Sequence, residues 1–320
     1  MKIGFDAKRI FHNGTGLGNY GRDTVRILHD HTSIDEFLLY NPKQSKNSRM
    51  TPLPRIKVIY PKGYLWQKFS SLWRLLPVTK QIVEDQVDIY HGLAGEIPYR
   101  LTLKKIPTIV TVHDIIYLSH PQYYHFIDRF IYTIKIRHAV QKANRIIAIS
   151  EHTKLELIKY LDVAEDRVSV VLQGCNEAFK KSYELEEKER IKKKYDLPEQ
   201  FILTVGTIQE RKNAWAIVKA IFGTDYHLVL IGNEKGYARK IHKYIAENNL
   251  QGQVTFLKNI DVYDLAVIYQ LSTIFCYPSL CEGFGIPIIE ALFSKVPVIT
   301  SNEGCFSEAG GPSSVYVEPS

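Results

Sequence analysis

Cysteine is scarce in this chain: 320 residues hold only Cys175, Cys276, Cys281 and Cys305. No two of them form a C-x2-C pair, which argues against a zinc site. Cys276 lies in an apolar strand and reads as buried filler, while Cys281 reads as a passive thiol in a loop. Reduced cysteines suit a cytoplasmic protein. Long hydrophobic runs are absent too, none approaching the roughly 18 residues of a membrane span. Met1-Lys2-Ile3-Gly4-Phe5-Asp6 places an acid where a signal peptide keeps its apolar run, so the chain is expected to stay in the cytoplasm. No short repeat or low-complexity tract is visible. The interleaved aromatic and Arg/Lys motifs of nucleic-acid modules are missing as well, and no nucleic-acid partner is expected.

What is present is the composition of a globular protein, 45% hydrophobic and 23% charged. The length leaves room for two domains. The net charge of +7 is unevenly spread. Residues 1–175 carry 25 Lys and Arg against 16 Asp and Glu, whereas residues 176–320 carry 16 against 18. A basic first half invites an anionic partner. Short apolar strands alternate with helical stretches twice over, from Lys2–Phe5 through Thr108–His113 and again from Phe201–Val205 through Ile274–Tyr277. Such alternation predicts an α/β protein with parallel sheets and helices on both faces. The charged stretch Glu177–Gln200 reads as a solvated helix with i,i+4 pairs, just after a domain junction. Domains are therefore expected over residues 1–176 and 177–320.

The richest segment runs Pro278-Ser-Leu-Cys-Glu-Gly-Phe-Gly-Ile-Pro-Ile-Ile-Glu-Ala-Leu-Phe-Ser-Lys-Val-Pro-Val298. Gly283 and Gly285 allow backbone angles that a Cβ would block, and Pro287 suits a first helical turn. Strand, tight turn and helix N-terminus follow in order, an arrangement that binds an anion well. Glu282 and Glu290, on either side of Gly283-Phe284-Gly285, can each accept paired hydrogen bonds from vicinal hydroxyls. A phosphate site beside two such carboxylates suits a sugar nucleotide.

Four further motifs accompany it. Gly14-Thr15-Gly16-Leu17-Gly18 follows the first strand, where a diphosphate-contacting turn and a plain flexible turn both fit. His113-Asp114 ends a buried strand, at the edge where ligands bind in open α/β sheets. On the residues alone His113 reads as structural, and Asp114 as orienting the turn. In Gly206-Thr-Ile-Gln-Glu-Arg-Lys-Asn213, Arg211 and Lys212 are cations beside a helix start, where the dipole disfavours them. An anionic ligand would relieve that misfit. Ser150, with Thr153 as a second candidate, reads as a helix cap. Separately, Tyr64–Leu76 sets Leu65, Phe69, Leu72 and Leu76 at helical spacing, flanked by Trp66, Trp73, Lys68 and Arg74. Such a helix either lies on an anionic membrane or packs on the sheet.

Taken in order, Gly14 to Gly18, His113-Asp114, Ser150-Glu151, Gly206 to Asn213, and the E-x7-E pair Glu282 and Glu290 resemble the retaining, family-four glycosyltransferases over nearly the whole chain. The resemblance is to bacterial mannosyltransferase-like polysaccharide enzymes. It implies the GT-B fold, two Rossmann-like domains facing across a cleft, the first on the acceptor side and the second binding the donor. It implies a nucleoside-diphosphate sugar as donor and a glycan or lipid-linked acceptor; the basic first half and the Trp66–Trp73 helix suggest an anionic membrane surface for that acceptor. Neither metal nor other cofactor is expected. Gly16 would lie near the donor diphosphate, with Gly206, Gly283, Phe284 and Gly285 lining the donor site. Glu282 would hold sugar hydroxyls, Glu290 the ribose diol, and His113 the region of the scissile bond. Arg211 and Lys212 would neutralise the leaving diphosphate. Many members carry arginine directly after the glycine; here Thr207 stands there, with Arg211 as the substitute.

The Tyr-rich run Tyr123 to Tyr132 is expected to be mostly core and acceptor-side surface. Members usually continue past a segment like Ala309–Ser320 with further helices, which are expected to be missing here. A sugar-nucleotide epimerase of the same fold and a non-catalytic nucleotide-binding partner subunit remain alternative readings.

Overall fold

Strands such as Leu228-Val-Leu-Ile231 are apolar on both faces and need helices above and below them. The computed structural model describes residues 1–44 and 50–319, apart from the Ser71 side chain, and builds two such sheets. The chain divides between Leu172 and Gln173, four residues before the expected junction.

In the first unit, β1 (Lys2–Asp6), β2 (Glu36–Tyr40), β3 (Ile56–Ile59), β4 (Ile89–Gly92), β5 (Thr108–Val112), β6 (Arg145–Ala148) and β7 (Val168–Val170) form one sheet. Its order is β3-β2-β1-β4-β5-β6-β7, and every pairing is parallel. In the second unit, β8 (Ile202–Val205), β9 (Leu228–Ile231), β10 (Val254–Leu257), β11 (Ile274–Tyr277), β12 (Val298–Ser301) and β13 (Val315–Val317) repeat the pattern as β10-β9-β8-β11-β12-β13. These pairings are parallel too. Both units are therefore doubly wound. Each sheet reverses direction of growth once, at β1/β4 and at β8/β11, and ligands of such sheets bind beyond the carboxyl ends of strands at that point.

Packing follows from the helical repeat. Helix Phe126–Lys142 turns Ile136, Ala139 and Val140 onto Val110, Val112 and Ile146. In the second unit Ile217, Val218, Ile241 and Ile245 cover Leu228 and Leu230. Ser150 caps helix Glu151–Leu161, accepting the Thr153 N–H at 2.9 Å.

Three expectations change. The single helix expected over Tyr64–Leu76 breaks into Tyr64–Lys68 and Ser70–Trp73, and a third piece, Val78–Glu84, follows. Pro77 cannot continue a helix interior and instead precedes the last piece. Trp73 is 3% exposed and packs with Tyr40 and Val78, while no residue of Tyr64–Lys68 is buried. The run Tyr123 to Tyr132 is not mostly core: Phe126, Ile127, Phe130, Ile131 and Tyr132 are all exposed. The charged helix, Leu185–Lys194, is more than a solvated rod. It buries Ile191, and its Arg190 and Lys194 reach the buried Asp264 on helix Val262–Leu271.

Candidate donor site

The reversal of the second sheet brings together the loops that follow β8 and β11. After β8 the chain passes Gly206, whose carbonyl oxygen would lie 2.0 Å from a Cβ placed at Gly232, directly after β9. The two backbones touch there, and only glycine at 232 permits it. A single 3-10 turn, Glu210–Lys212, then leads through Asn213 (φ 54°) into helix Ala214–Ala220. Arg211 and Lys212 sit in that turn, which is tied to the loop after β11 by the Leu280 N–H donating to the Arg211 carbonyl at 2.8 Å.

The loop after β11, residues 278–285, is held from below. Thr300 and Ser301 on β12 donate their hydroxyls to the carbonyls of Tyr277 (2.9 Å) and Ser279 (2.6 Å). Cys305 Sγ lies 3.2 and 3.1 Å from the carbonyls of Glu282 and Phe284. Gly285, at φ 107°, makes the turn into helix Ile286–Phe293, with Pro287 in its first turn. That φ disfavours any side chain. Phe284 and Gly283 are buried, so the Phe284 ring packs inward and does not face solvent.

Glu282 is the centre of the site. Its Oε1 meets Lys212 Nζ, lies 2.8 Å from Arg211 Nη1 and 3.1 Å from the Tyr277 hydroxyl. Ser279 Oγ is 2.9 Å from both Glu282 Oε1 and the Arg211 carbonyl, and can give its one proton to either. Arg211 also donates to the Cys281 carbonyl at 2.9 Å. The three charged side chains are 18%, 15% and 11% exposed for Arg211, Lys212 and Glu282. Burial alone would raise the Glu282 carboxyl, but Lys212 and Arg211 outweigh it and hold the group at about 2. Lys212 is pushed down, first by burial and also by Arg211, against the pull of Glu282. Within this trio one carboxylate meets both cations. The dipole misfit at Arg211 and Lys212 is thus already met inside the protein, by Glu282.

Glu290 lies on the following helix in a different environment. Its partner is the Tyr269 hydroxyl at 3.0 Å, and burial raises the carboxyl to about 7. Two carboxylates eight residues apart are therefore pushed in opposite directions, a pattern associated with divided roles.

In the first unit, Gly16 is the first residue of helix Gly16–His31, whose N-terminus carries no side-chain cap. The close contact in that turn belongs to Gly18, where a Cβ would sit 2.0 Å from the Asn13 carbonyl oxygen. His113 Nε2 donates to the Leu93 carbonyl at 2.9 Å, and its ring meets Tyr20 edge-on at 4.6 Å. Tyr20 belongs to the helix that Gly16 begins, so these two predicted residues lie in one neighbourhood. Burial lowers His113 to about 4, leaving it neutral at pH 7. Asp114 accepts the Ile116 N–H at 3.3 Å and orients the turn as expected. Sequence reasoning missed the buried Asp6 at the carboxyl end of β1. It pairs with Arg74 at 2.5 Å, and Glu96 links Arg74 (3.0 Å) to Lys135 (3.1 Å).

Comparison with known proteins agrees with this architecture. The family model described as Glycosyltransferase Family 4 matches residues 24–179, and that described as Glycosyl transferases group 1 matches residues 186–314. The O-antigen chain mannosyltransferase RfbU of Salmonella typhimurium is 29% identical over 66% of this chain, which spans 56% of that protein's length. O-antigen chain mannosyltransferase B of Escherichia coli is 27% identical over the whole chain, covering 87% of that protein. Among solved structures, Anabaena HepE in complex with UDP and glucose matches with a TM-score of 0.71 at 16% identity, over 96% of this chain and 82% of that one. With one family model on each sheet and the doubly wound order in both, the chain belongs to the glycosyltransferases of the two-domain GT-B fold.

Proposed function

We propose that the chain is a retaining transferase. It moves a hexose, mannose first among the candidates, from a nucleoside-diphosphate sugar to a glycan or lipid-linked acceptor during assembly of an O-antigen-type polysaccharide. The observation that carries this reading is the largely buried cluster of Arg211, Lys212 and Glu282 at the carboxyl ends of β8 and β11. The names of the two O-antigen mannosyltransferases support the polysaccharide context, and the UDP and glucose bound to HepE support a sugar nucleotide as donor.

The chemistry follows from the charges. As the glycosidic bond of the donor breaks, the anomeric carbon becomes cationic and negative charge collects on the departing diphosphate. Arg211 and Lys212 neutralise that charge from a site with little water, where fixed charges act strongly. Glu282 must then turn from the two cations toward the hydroxyls of the donor sugar. The exchange is balanced, since the diphosphate replaces a carboxylate on the cations and hydroxyl donors replace the cations on the carboxylate. Glu290 accepts the ribose diol, which favours its ionised form. His113, neutral at pH 7, contributes to turnover and not to nucleotide affinity.

A thermal-shift screen of the purified chain against GDP-, UDP-, ADP- and dTDP-sugars tests the donor. A true donor at a hundred times its dissociation constant adds about 2.7 kcal/mol of stability. Turnover with the hit, and the anomeric configuration of the product by NMR, then test transfer and retention. If no nucleotide sugar raises the melting point, the donor site is misassigned.

A further inference from the structure

The sheet reversal of the first unit, between β1 and β4, carries a charged cluster of its own. Asp6 ends β1, and its two oxygens hold Arg74 through Nε (3.2 Å) and Nη2. Asp6 Oδ1 also accepts the Lys8 N–H at 3.1 Å. Glu96, in the loop after β4, meets Arg74 Nη2 on one oxygen and Lys135 Nζ on the other. Asp6 and Arg74 are 8% and 11% exposed. Charges so far out of water are costly to place, and these lie at the edge where open α/β sheets take their ligands. The second unit puts Arg211, Lys212 and Glu282 at the corresponding place in its own sheet.

The polar groups that this network leaves over are all donors. Arg74 Nη1 has no partner among the described residues, since only Nε and Nη2 meet the two carboxylates. The Lys8 ammonium makes no ion pair among them either, although it is partly buried. Burial, then Arg74 and Arg9, push it down against the pull of Glu96 and Asp6. The third donor is Tyr90, which is 3% exposed. It is in register with Gly4, two positions before Asp6, and so shares the sheet face of Asp6. Its hydroxyl feels the charges of Asp6, Arg74 and Glu96 but forms no hydrogen bond among the described residues. A buried hydroxyl without a partner calls for an explanation.

An ammonium, a guanidinium nitrogen and a hydroxyl, beside carboxylates already held by cations, require a ligand that accepts hydrogen bonds and carries negative charge. Phosphate meets that need, with several oxygens around one charge centre. We propose that Lys8, Arg74 and Tyr90 form a binding site for one phosphate group, distinct from the donor cluster of the second unit, with Asp6 and Glu96 holding Arg74 in place. On the proposed function the donor diphosphate goes to Arg211 and Lys212, so the phosphate bound here is one carried by the acceptor. Only that last assignment rests on the donor reading.

The test is titration of inorganic phosphate into the full chain at constant ionic strength, followed by phosphorus NMR. A Lys212→Met background keeps the donor cluster from contributing. Expected is saturable binding that Lys8→Gln and Tyr90→Phe each weaken at least roughly tenfold, the effect of losing a hydrogen bond to a charged group. Without phosphate neither variant should melt below its Lys212→Met parent, because neither substituted group has a protein partner to lose. No binding, or equal affinity in parent and both variants, would overturn the site, as would a lower phosphate-free melting temperature in both. Glucose 1-phosphate and a nucleoside diphosphate then compete for it. The sugar phosphate should displace inorganic phosphate at the lower concentration, and the reverse order would overturn the assignment to the acceptor. Failure of the donor reading would leave the phosphate titration itself unchanged, since its background already lacks Lys212.

Discussion

Replacing Glu282 by Gln removes the carboxylate that Arg211 and Lys212 face and leaves both cations in a largely buried place. The expected loss of stability can be worked two ways. A carboxyl held at about 2 instead of its usual 4.5 has its charged form favoured by roughly 3 kcal/mol. Breaking a buried ion pair from one side costs about 3–5 kcal/mol in general. Little discount for solvent applies, because Glu282 is 11% exposed. Glu282→Gln should therefore lower the stability of the second unit by roughly 3 kcal/mol in urea unfolding at pH 7. The sign with pH is fixed: a depressed carboxyl contributes fully above 4.5 and loses its contribution as pH falls toward 2. The wild-type advantage should thus be the same at pH 6 and pH 8. Pyrophosphate then separates structure from function. In the variant no Glu282 carboxylate competes for the two cations, so pyrophosphate should recover more stability there than in the wild type, while sugar transfer falls. Coupling to Lys212→Met should be about 1–3 kcal/mol in a double-mutant cycle. A variant within about 0.5 kcal/mol of wild type would refute the reasoning, as would equal pyrophosphate stabilisation of both proteins.

Glu290 should behave in the opposite sense. Its carboxyl is raised to about 7, so the folded chain keeps a proton that the unfolded chain has lost, and this group's contribution falls as pH rises from 4.5 through 7. Glu290→Gln should be more stable relative to wild type at pH 8 than at pH 5, by up to roughly 3 kcal/mol, measured by chemical denaturation. The same variant should bind nucleotide about tenfold more weakly in calorimetry, and wild-type affinity should rise with pH through 7. Gly232→Ala would place a Cβ 2.0 Å from the Gly206 carbonyl oxygen. It should cost about 2–4 kcal/mol and blunt any thermal shift by nucleotide, because the two loops must part.

How far the sequence discloses the fold depends on whether one segment contains the whole signal. Both sheets are legible because runs like Phe275-Cys-Tyr277 and Leu228–Ile231 are apolar on both faces and too short for helices. Helix breaks are less so. Leu65, Phe69, Leu72 and Leu76 have the spacing of a core stripe, yet all four turn to solvent, and it is Trp73 beside them that is buried. Periodicity reports that a stripe exists and not which way it faces. The same ambiguity hid the outward face of Phe126–Lys142, since its inward face alone satisfies the core. Gly232 had a signal that went unused: Leu-Ile-Gly after β9 repeats the strand-then-glycine pattern of Val205-Gly206 after β8.

The site was legible residue by residue but not as a set of partners. Glu282 and Lys212 are 70 positions apart, and nothing in either segment names the other. What joins them is strand order. Once β8 is known to lie beside β11, the loops after both strands must meet, and a glutamate in one faces cations in the other. The helix dipole at Arg211 and Lys212 signals a nearby anion without saying where in the chain it lies. Two cations beside a helix start do require negative charge, and the protein supplies one unit of it from Glu282. A ligand of higher charge can compete with Glu282 for the same two cations. A diphosphate carries more charge than one carboxylate and can take over both cations, which frees Glu282 for neutral hydroxyls. On the proposed donor reading the internal ion pair is no substitute for the donor; it would keep the cations placed and their charge partly screened until the donor arrived.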